Sequence, residues 1–211
     1  MMVKVGKNLG SLFVSSVIAL GLTAVQVAAA GPAGLARNAD PDLSTSRIAT
    51  SQATLAPFAH VRFCLKSPQE CAVVDAPPLA TVDSAKMDDL KALNARINAA
   101  IIPANDTGPD VWSLWPQSGD CEDYAITKRA ALIAAGWPAP ALRLAVTRTL
   151  TGEGHAVLVV STTDGDWVLD NRTDDIRDWR EAGLQWLKIQ SSEDPRVWLA
   201  VAKPVLAPLI M

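Results

Sequence analysis

The chain has 211 residues, 49% hydrophobic and 19% charged, enough for one domain of ordinary size with its own core. Its 19 Lys and Arg against 22 Asp and Glu give a formal charge of −3. The basic residues nowhere cluster, which excludes nucleic acid as a partner, because phosphate binding needs Lys and Arg concentrated on one surface.

Lys4 and Lys7 precede an almost wholly apolar stretch from Leu9 to Leu22, and Ala28-Ala29-Ala30 supplies the small residues a signal peptidase accepts. Residues 1–30 are therefore expected to be a signal peptide that exports the protein. An uncleaved anchor is the alternative for the same run, although the run is shorter than the roughly 20 residues a span requires. Removing residues 1–30 would leave 17 basic against 22 acidic residues. Residues 31–57, rich in Ala, Ser, Thr, Pro and Gly without periodicity, read as a flexible leader, and 58–211 as the folded domain.

Export would put the three cysteines in an oxidising compartment, where Cys64 and Cys71 can pair and Cys121 stays odd. Between them, Pro68 favours a turn that brings the two Cβ atoms to bonding distance. Two buried free thiols are the alternative. From Ser84 to Ile102, the residues Met87, Leu90, Ile97 and Ile101 recur at helical spacing behind a capping Asp83 or Ser84, and Pro103 ends the pattern. Asn105 to Pro109 read as a loop leading to Trp112 and Trp115. A second helix is expected from Glu122 to Ala135, with Ile126, Ala130, Ile133 and Ala134 on its apolar face and Gly136 followed by Pro138 ending it.

Strand character follows. Leu142, Leu144 and Val146 alternate with Arg143 and Thr147, then come His155 to Val160 and Trp167 to Asp170, with a turn signal at Asp164-Gly165. Leu184 to Ile189 and Val197 to Val201 each suggest a strand, and Arg177 to Ala182 a short helical connection. Helices first and antiparallel strands afterwards define an α+β domain with its helices packed on one face of a sheet.

Cys121 falls in the first turn of the second helix, where the helix dipole and unsatisfied backbone N–H groups favour a thiolate. A cysteine nucleophile needs a base, and the chain offers only His60 and His155. His155 opens a strand after Gly152-Glu153-Gly154, whereas His60 lies beside the expected Cys64–Cys71 bridge and reads as structural. Asp170, at a strand end, is the candidate orienter of the imidazole. If Asp164-Gly165 formed a tight turn, His155 and Asp170 would share a face but lie about 13 Å apart along the ladder. A direct pair therefore predicts a longer loop or a bulge within residues 160–165.

Three acids crowd the thiol. Asp120 can cap the helix, and Glu122 and Asp123 suit its first turn; equally, the three can hold a hard cation. Unpaired, they would raise the thiol pKa, which an imidazolium or a bound cation would offset. Most of the seven tryptophans should be core residues, but Trp112 and Trp115, just before the thiol, are candidate substrate-binding walls of a cleft.

The segments Gly119-Asp120-Cys121-Glu122-Asp123-Tyr124, Lys128, Ala135-Gly136-Trp137-Pro138, Leu142-Arg143, Gly154-His155-Ala156-Val157-Leu158 and Val168-Leu169-Asp170-Asn171 resemble the bacterial transglutaminase-like cysteine peptidases, which include the LapG-type periplasmic proteases. The resemblance covers residues 60–203. It implies a papain-like fold, Cys121 as nucleophile, His155 as general base and acid, and Asp170 as orienter. It further implies calcium on Asp120, Glu122 and Asp123, no organic cofactor and a periplasmic location. A large surface adhesin would be the protein substrate, and an inner-membrane receptor for a cyclic dinucleotide the regulator. Two departures bear on substrate: only Pro116-Gln117-Ser118 separate Trp115 from Gly119, and Trp179 to Pro195 is more similar to a smaller subgroup. The same residues would serve another thiol acyl transfer, such as crosslinking or deamidation, or persist in an inactive module that binds calcium or a partner.

Overall fold

The structure, a computed structural model, describes residues 46–202. The expected signal peptide and residues 31–45 of the expected leader lie outside the described residues. The remainder of the leader does not behave as one, because Thr50–Thr54 forms a strand, β1. Its five side chains are all exposed, so periodicity could not reveal it. Backbone pairing with the last strand holds it, and the residues before it are anchored by polar contacts. Asp166 Oδ2 accepts the Ile48 N–H at 2.8 Å, and Arg47 Nη1 donates to the Thr162 carbonyl at 2.8 Å.

Helix α1, Phe58–Lys66, turns Ala59, His60 and Phe63 into the core. A 3-10 turn at Pro68–Cys71 follows and closes the expected disulfide, Cys64–Cys71, with Cα atoms 5.5 Å apart. Helix α2 spans Ser84–Ala100, and Asp83 caps it by accepting the Lys86 N–H at 2.8 Å. Two short parallel strands, β2 (Ile102–Pro103) and β3 (Ser118–Gly119), then tie off the loop between them. Helix α3, Cys121–Ala134, ends in a Schellman motif: Gly136 N donates to Ile133 O, Trp137 N donates to Leu132 O, and Gly136 takes the left-handed φ of 86° that glycine tolerates.

The second half is antiparallel sheet: β4 (Leu142–Arg148), β5 (Gly154–Thr162), β6 (Gly165–Leu169), β7 (Arg177–Asp178), β8 (Gln185–Gln190) and β9 (Trp198–Val201). With β1 they form seven strands in the order β1-β9-β8-β4-β5-β6-β7. The expected helical connection at Arg177–Ala182 is instead the edge strand β7 followed by a turn. Leu142, Leu144, Leu158, Val160 and Leu169 pack against Leu90, Tyr124 and Leu132 of the helices, as the α+β reading requires. Ala145, Val157, Val159, Val168 and Ile189 form a second core with Ile48 and Ala182, flanked by Trp179 and Trp186. Burial on both faces explains why β5 reads as a continuous apolar run. Among the described residues no helix is long and apolar enough to cross a membrane.

Candidate active site

The loop joining β5 to β6 is tight, contrary to the expectation of a longer loop or a bulge. Thr162 pairs with Gly165, so Thr163 and Asp164 are the two central residues, one position earlier than the Asp164-Gly165 signal suggested. This shift moves the register by two. Leu158 faces Leu169, so Asp170, just past β6, falls opposite Val157, diagonally across from His155. Diagonal neighbours are within reach of an imidazole and a carboxylate, and His155 Nε2 lies 2.9 Å from Asp170 Oδ1, both side chains being buried. A carboxylate only accepts, so Nε2 carries a proton towards Asp170 and Nδ1 is the ring nitrogen left for another partner.

Cys121 is half-buried at the start of α3, and its Sγ accepts the backbone N–H of Ala156, the residue after His155, at 3.3 Å. The structure therefore brings the helix-borne thiol to the opening of β5, where the His155–Asp170 pair stands. The sulfur also donates to Glu122 Oε2 at 3.2 Å. Burial, and next the charge of Glu122, push the thiol up to about 12, while the Ala156 N–H opposes the rise. Burial also opposes the charge on Asp170, yet the hydrogen bonds from His155 and Arg172 outweigh it and hold that carboxyl well below the usual carboxylate range.

The acids around the thiol separate into different roles. The β2–β3 pair closes the loop between them over the start of α3, and this brings Asp106 and Asp110 to Glu122, with carboxylate oxygens within 4.8 Å of one another. Glu122 is raised by its burial and by the nearby Asp110. Asp120 sits at the N-cap position of α3 but its side chain caps nothing. One oxygen accepts the Asp106 N–H at 3.4 Å, and the other is buried with no hydrogen-bond partner among the described residues. Asp123, expected with the cation ligands, stands outside this cluster. It accepts the Ser113 N–H at 2.6 Å and packs so closely on Gly119 that a Cβ there would fall inside its carboxylate. That contact explains why glycine stands two residues before the thiol. The remaining oxygens of Asp106, Asp110, Glu122 and Asp120 are hard donors of the kind calcium takes.

Trp112 is corrected from cleft wall to core: it is 6% exposed, and its ring meets that of His60 edge-on at 5.3 Å. Trp115 is 60% exposed, at a left-handed φ of 54°, with its N–H donated to Thr127 Oγ1 at 3.1 Å. His60 is structural. It is buried between Trp112 and Trp198, and burial, with the Arg129 charge second, lowers it to about 4.

Sequence reasoning missed Asp106, Asp110, the Ala156 N–H and Arg172. Of these, only the paired acids in a Gly- and Pro-containing loop left a trace in the sequence, and nothing there linked them to Glu122.

A sequence model of the family described as "Bacterial transglutaminase-like cysteine proteinase BTLCP" matches residues 50–205. No curated protein matches. Among solved structures, calcium-bound LapG of Legionella pneumophila is similar at 23% identity and a TM-score of 0.47, covering 72% of this chain and 86% of that one. The EGTA-treated form of the same protein is similar at 23% identity and a TM-score of 0.46, covering 72% and 82%.

Proposed function

Because the chain belongs to the bacterial transglutaminase-like cysteine proteinases, we propose that it is a thiol peptidase in which Cys121, His155 and Asp170 cleave a protein substrate. The observation that carries this reading is the buried 2.9 Å His155–Asp170 pair beside the only free thiol among the described residues.

With Nε2 held by Asp170, Nδ1 of His155 takes the proton of Cys121 as the sulfur attacks the scissile carbonyl carbon. The carbonyl π electrons move onto oxygen, which the N–H groups at the start of α3 would hold. When the C–N bond breaks, its electron pair leaves on the amine, and the imidazolium supplies the proton. Water then attacks the thioester, giving one proton to Nδ1, and the C–S pair returns to sulfur, which recovers that proton. Trp115, exposed and just before the thiol, is the remaining candidate wall for the substrate.

Calcium forms part of the proposal. Asp106, Asp110 and Glu122 would hold it, with Asp120 beside them, and its charge would offset the carboxylates that keep the thiol protonated. Chelating calcium is expected to slow alkylation of Cys121 by about tenfold, an effect of roughly 1.4 kcal/mol, and to lower the melting temperature. Identical labelling and melting with and without chelator would dispose of the metal.

The signal-like residues 1–30 support a periplasmic protein, and the motif resemblance supports a large surface adhesin as substrate and an inner-membrane receptor as regulator. Comparing exported and surface proteins of a wild-type and a Cys121→Ala strain tests the function. A substrate fragment present only in the wild type is expected, and indistinguishable patterns would defeat the peptidase reading.

A further inference from the structure

We propose that Arg172 is a positioning residue of this site, locking the carboxylate of Asp170 so that one defined oxygen faces His155; the inference rests on the peptidase reading above. The case starts from the acceptors of Asp170. Oδ1 takes His155 Nε2 at 2.9 Å, the Arg172 backbone N–H at 2.9 Å and a longer bond from Arg172 Nε at 3.3 Å, while Oδ2 takes Arg172 Nη2 at 2.7 Å and Nε at 3.0 Å. The guanidinium fork thereby saturates Oδ2 and fixes the carboxylate plane, so that Oδ1, which Arg172 shares, is the oxygen that meets the imidazole. Without the fork, the carboxylate could turn about χ2 and exchange its oxygens.

The chain contains internal controls. Asp178-Trp179-Arg180 and Asp194-Pro195-Arg196 close in the same way. Each arginine gives its backbone N–H to Oδ1 at 2.9 Å and its fork to both oxygens, with Nη2 at 3.0 Å and 2.8 Å from Oδ2. The unit is therefore a local one, but not automatic: in the fourth Asp-Xaa-Arg segment, Asp175-Ile176-Arg177, the nearest guanidinium nitrogen stands 4.0 Å from the carboxylate. What distinguishes the first copy is its surroundings: the Asp170 side chain is 6% exposed, against 17% and 27% for the other two, and it alone of the three meets an imidazole.

The backbone is secured separately. Asn98 Nδ2 of α2 donates to the carbonyls of Asp170 at 3.2 Å and Thr173 at 3.0 Å, and Asn94 Nδ2 to those of Thr173 and Asp174. Helix α2 therefore sets where Asp170 begins, and Arg172 sets where its carboxylate ends. The Arg172 side chain, 42% exposed, lines a cavity of about 370 Å³ beside Asp170, so a small cation can enter from solvent once the side chain is removed.

The test measures alkylation of Cys121 at neutral pH, in calcium-containing buffer, for wild type, Arg172→Ala, Arg172→Lys, Arg180→Ala, Arg196→Ala and His155→Ala. Displacing a catalytic group by about 1 Å costs on the order of a hundredfold, so Arg172→Ala is expected to slow labelling by about 10- to 100-fold. Millimolar guanidinium should restore part of that rate and ammonium should not. Arg172→Lys, which keeps the charge without the fork, should stay slow, and Arg180→Ala and Arg196→Ala should label like wild type. Wild-type labelling by Arg172→Ala, with His155→Ala slow, would reduce Arg172 to a turn-former. Equal slowing in all three Arg→Ala variants without guanidinium recovery would make it a stability effect. Wild type labelling no faster than His155→Ala would overturn both this inference and the peptidase reading.

Discussion

His155→Ala is expected to slow the alkylation of Cys121 at neutral pH by about 10²- to 10⁴-fold, the range that positioned general bases contribute. The thiol's environment argues for a dependence this steep. Burial and then Glu122 hold it in the protonated form, and Asp120 adds to them. Against these stand the Ala156 N–H, the helix start and whatever proton acceptor faces the sulfur. On the proposed mechanism the His155 imidazole is that acceptor, and His60 cannot replace it, being buried between Trp112 and Trp198. Asp170→Asn should act in the same direction. Its amide can donate to Nε2, which would reverse the tautomer and leave Nδ1 carrying the proton; the corresponding change in a serine triad costs about 10⁴. The rates are to be measured with a neutral alkylator and compared at equal foldedness. Unchanged rates in both variants would remove the triad.

Lys128→Met is expected to stabilise the fold by roughly 1–4 kcal/mol near pH 7, the range seen when buried ionic groups give way to apolar residues of similar shape. Lys128 is 0% exposed, and its Nζ has no hydrogen-bond partner among the described residues. It lies 5.8 Å from the centre of the Tyr124 ring. Burial lowers its pKa to about 7, with Asp170 and then Asp174 pulling the other way. The pH dependence has a definite sign. Between about 7 and the ordinary lysine value of 10.5, the unfolded chain binds a proton that the folded chain does not, so wild-type stability rises with pH. Below about 7 both states are protonated and the full cost is present. The stability difference between variant and wild type should therefore be largest at or below pH 7 and shrink towards pH 10. A difference that is flat with pH would mean that Lys128 is neutral or solvated throughout. Chemical denaturation of both proteins across that range measures it.

The elements legible in the sequence are those whose side chains follow a period or carry a stop signal. Helices α2 and α3 were delimited by Asp83, Pro103 and Gly136, and β4, β5 and β6 by alternation or apolar runs. The pairing of Cys64 with Cys71 followed from the turn between them. What stayed hidden depends on partners distant in sequence. Strand β1 is specified by the open edge of β9 rather than by its own exposed side chains, and β7 by two backbone pairings with β6. The thiol, imidazole and carboxylate could be named from residue type and order, yet their meeting required a register that a shift of one turn residue alters by two. Trp112 was misplaced because nearness to the nucleophile in sequence says nothing of which way an aromatic ring turns. Asp123 was misassigned for a similar reason: on a helix, the residue after Glu122 points about 100° away, here towards Gly119 and Ser113.

The His155–Asp170 bond spans 15 residues within one hairpin, whereas Cys121 reaches Ala156 across 35 residues from a separate helix. Hairpins close in about 1–10 μs, and docking of a separate element comes at a greater loop-closure cost. The base and its orienter can thus assemble while the nucleophile is still an ordinary exposed thiol. On the proposed mechanism, thiol reactivity would then come only when α3 docks on a sheet that has already formed. Refolding followed by pulsed alkylation should show native sheet signal preceding rapid labelling, and simultaneous appearance of the two would contradict that order.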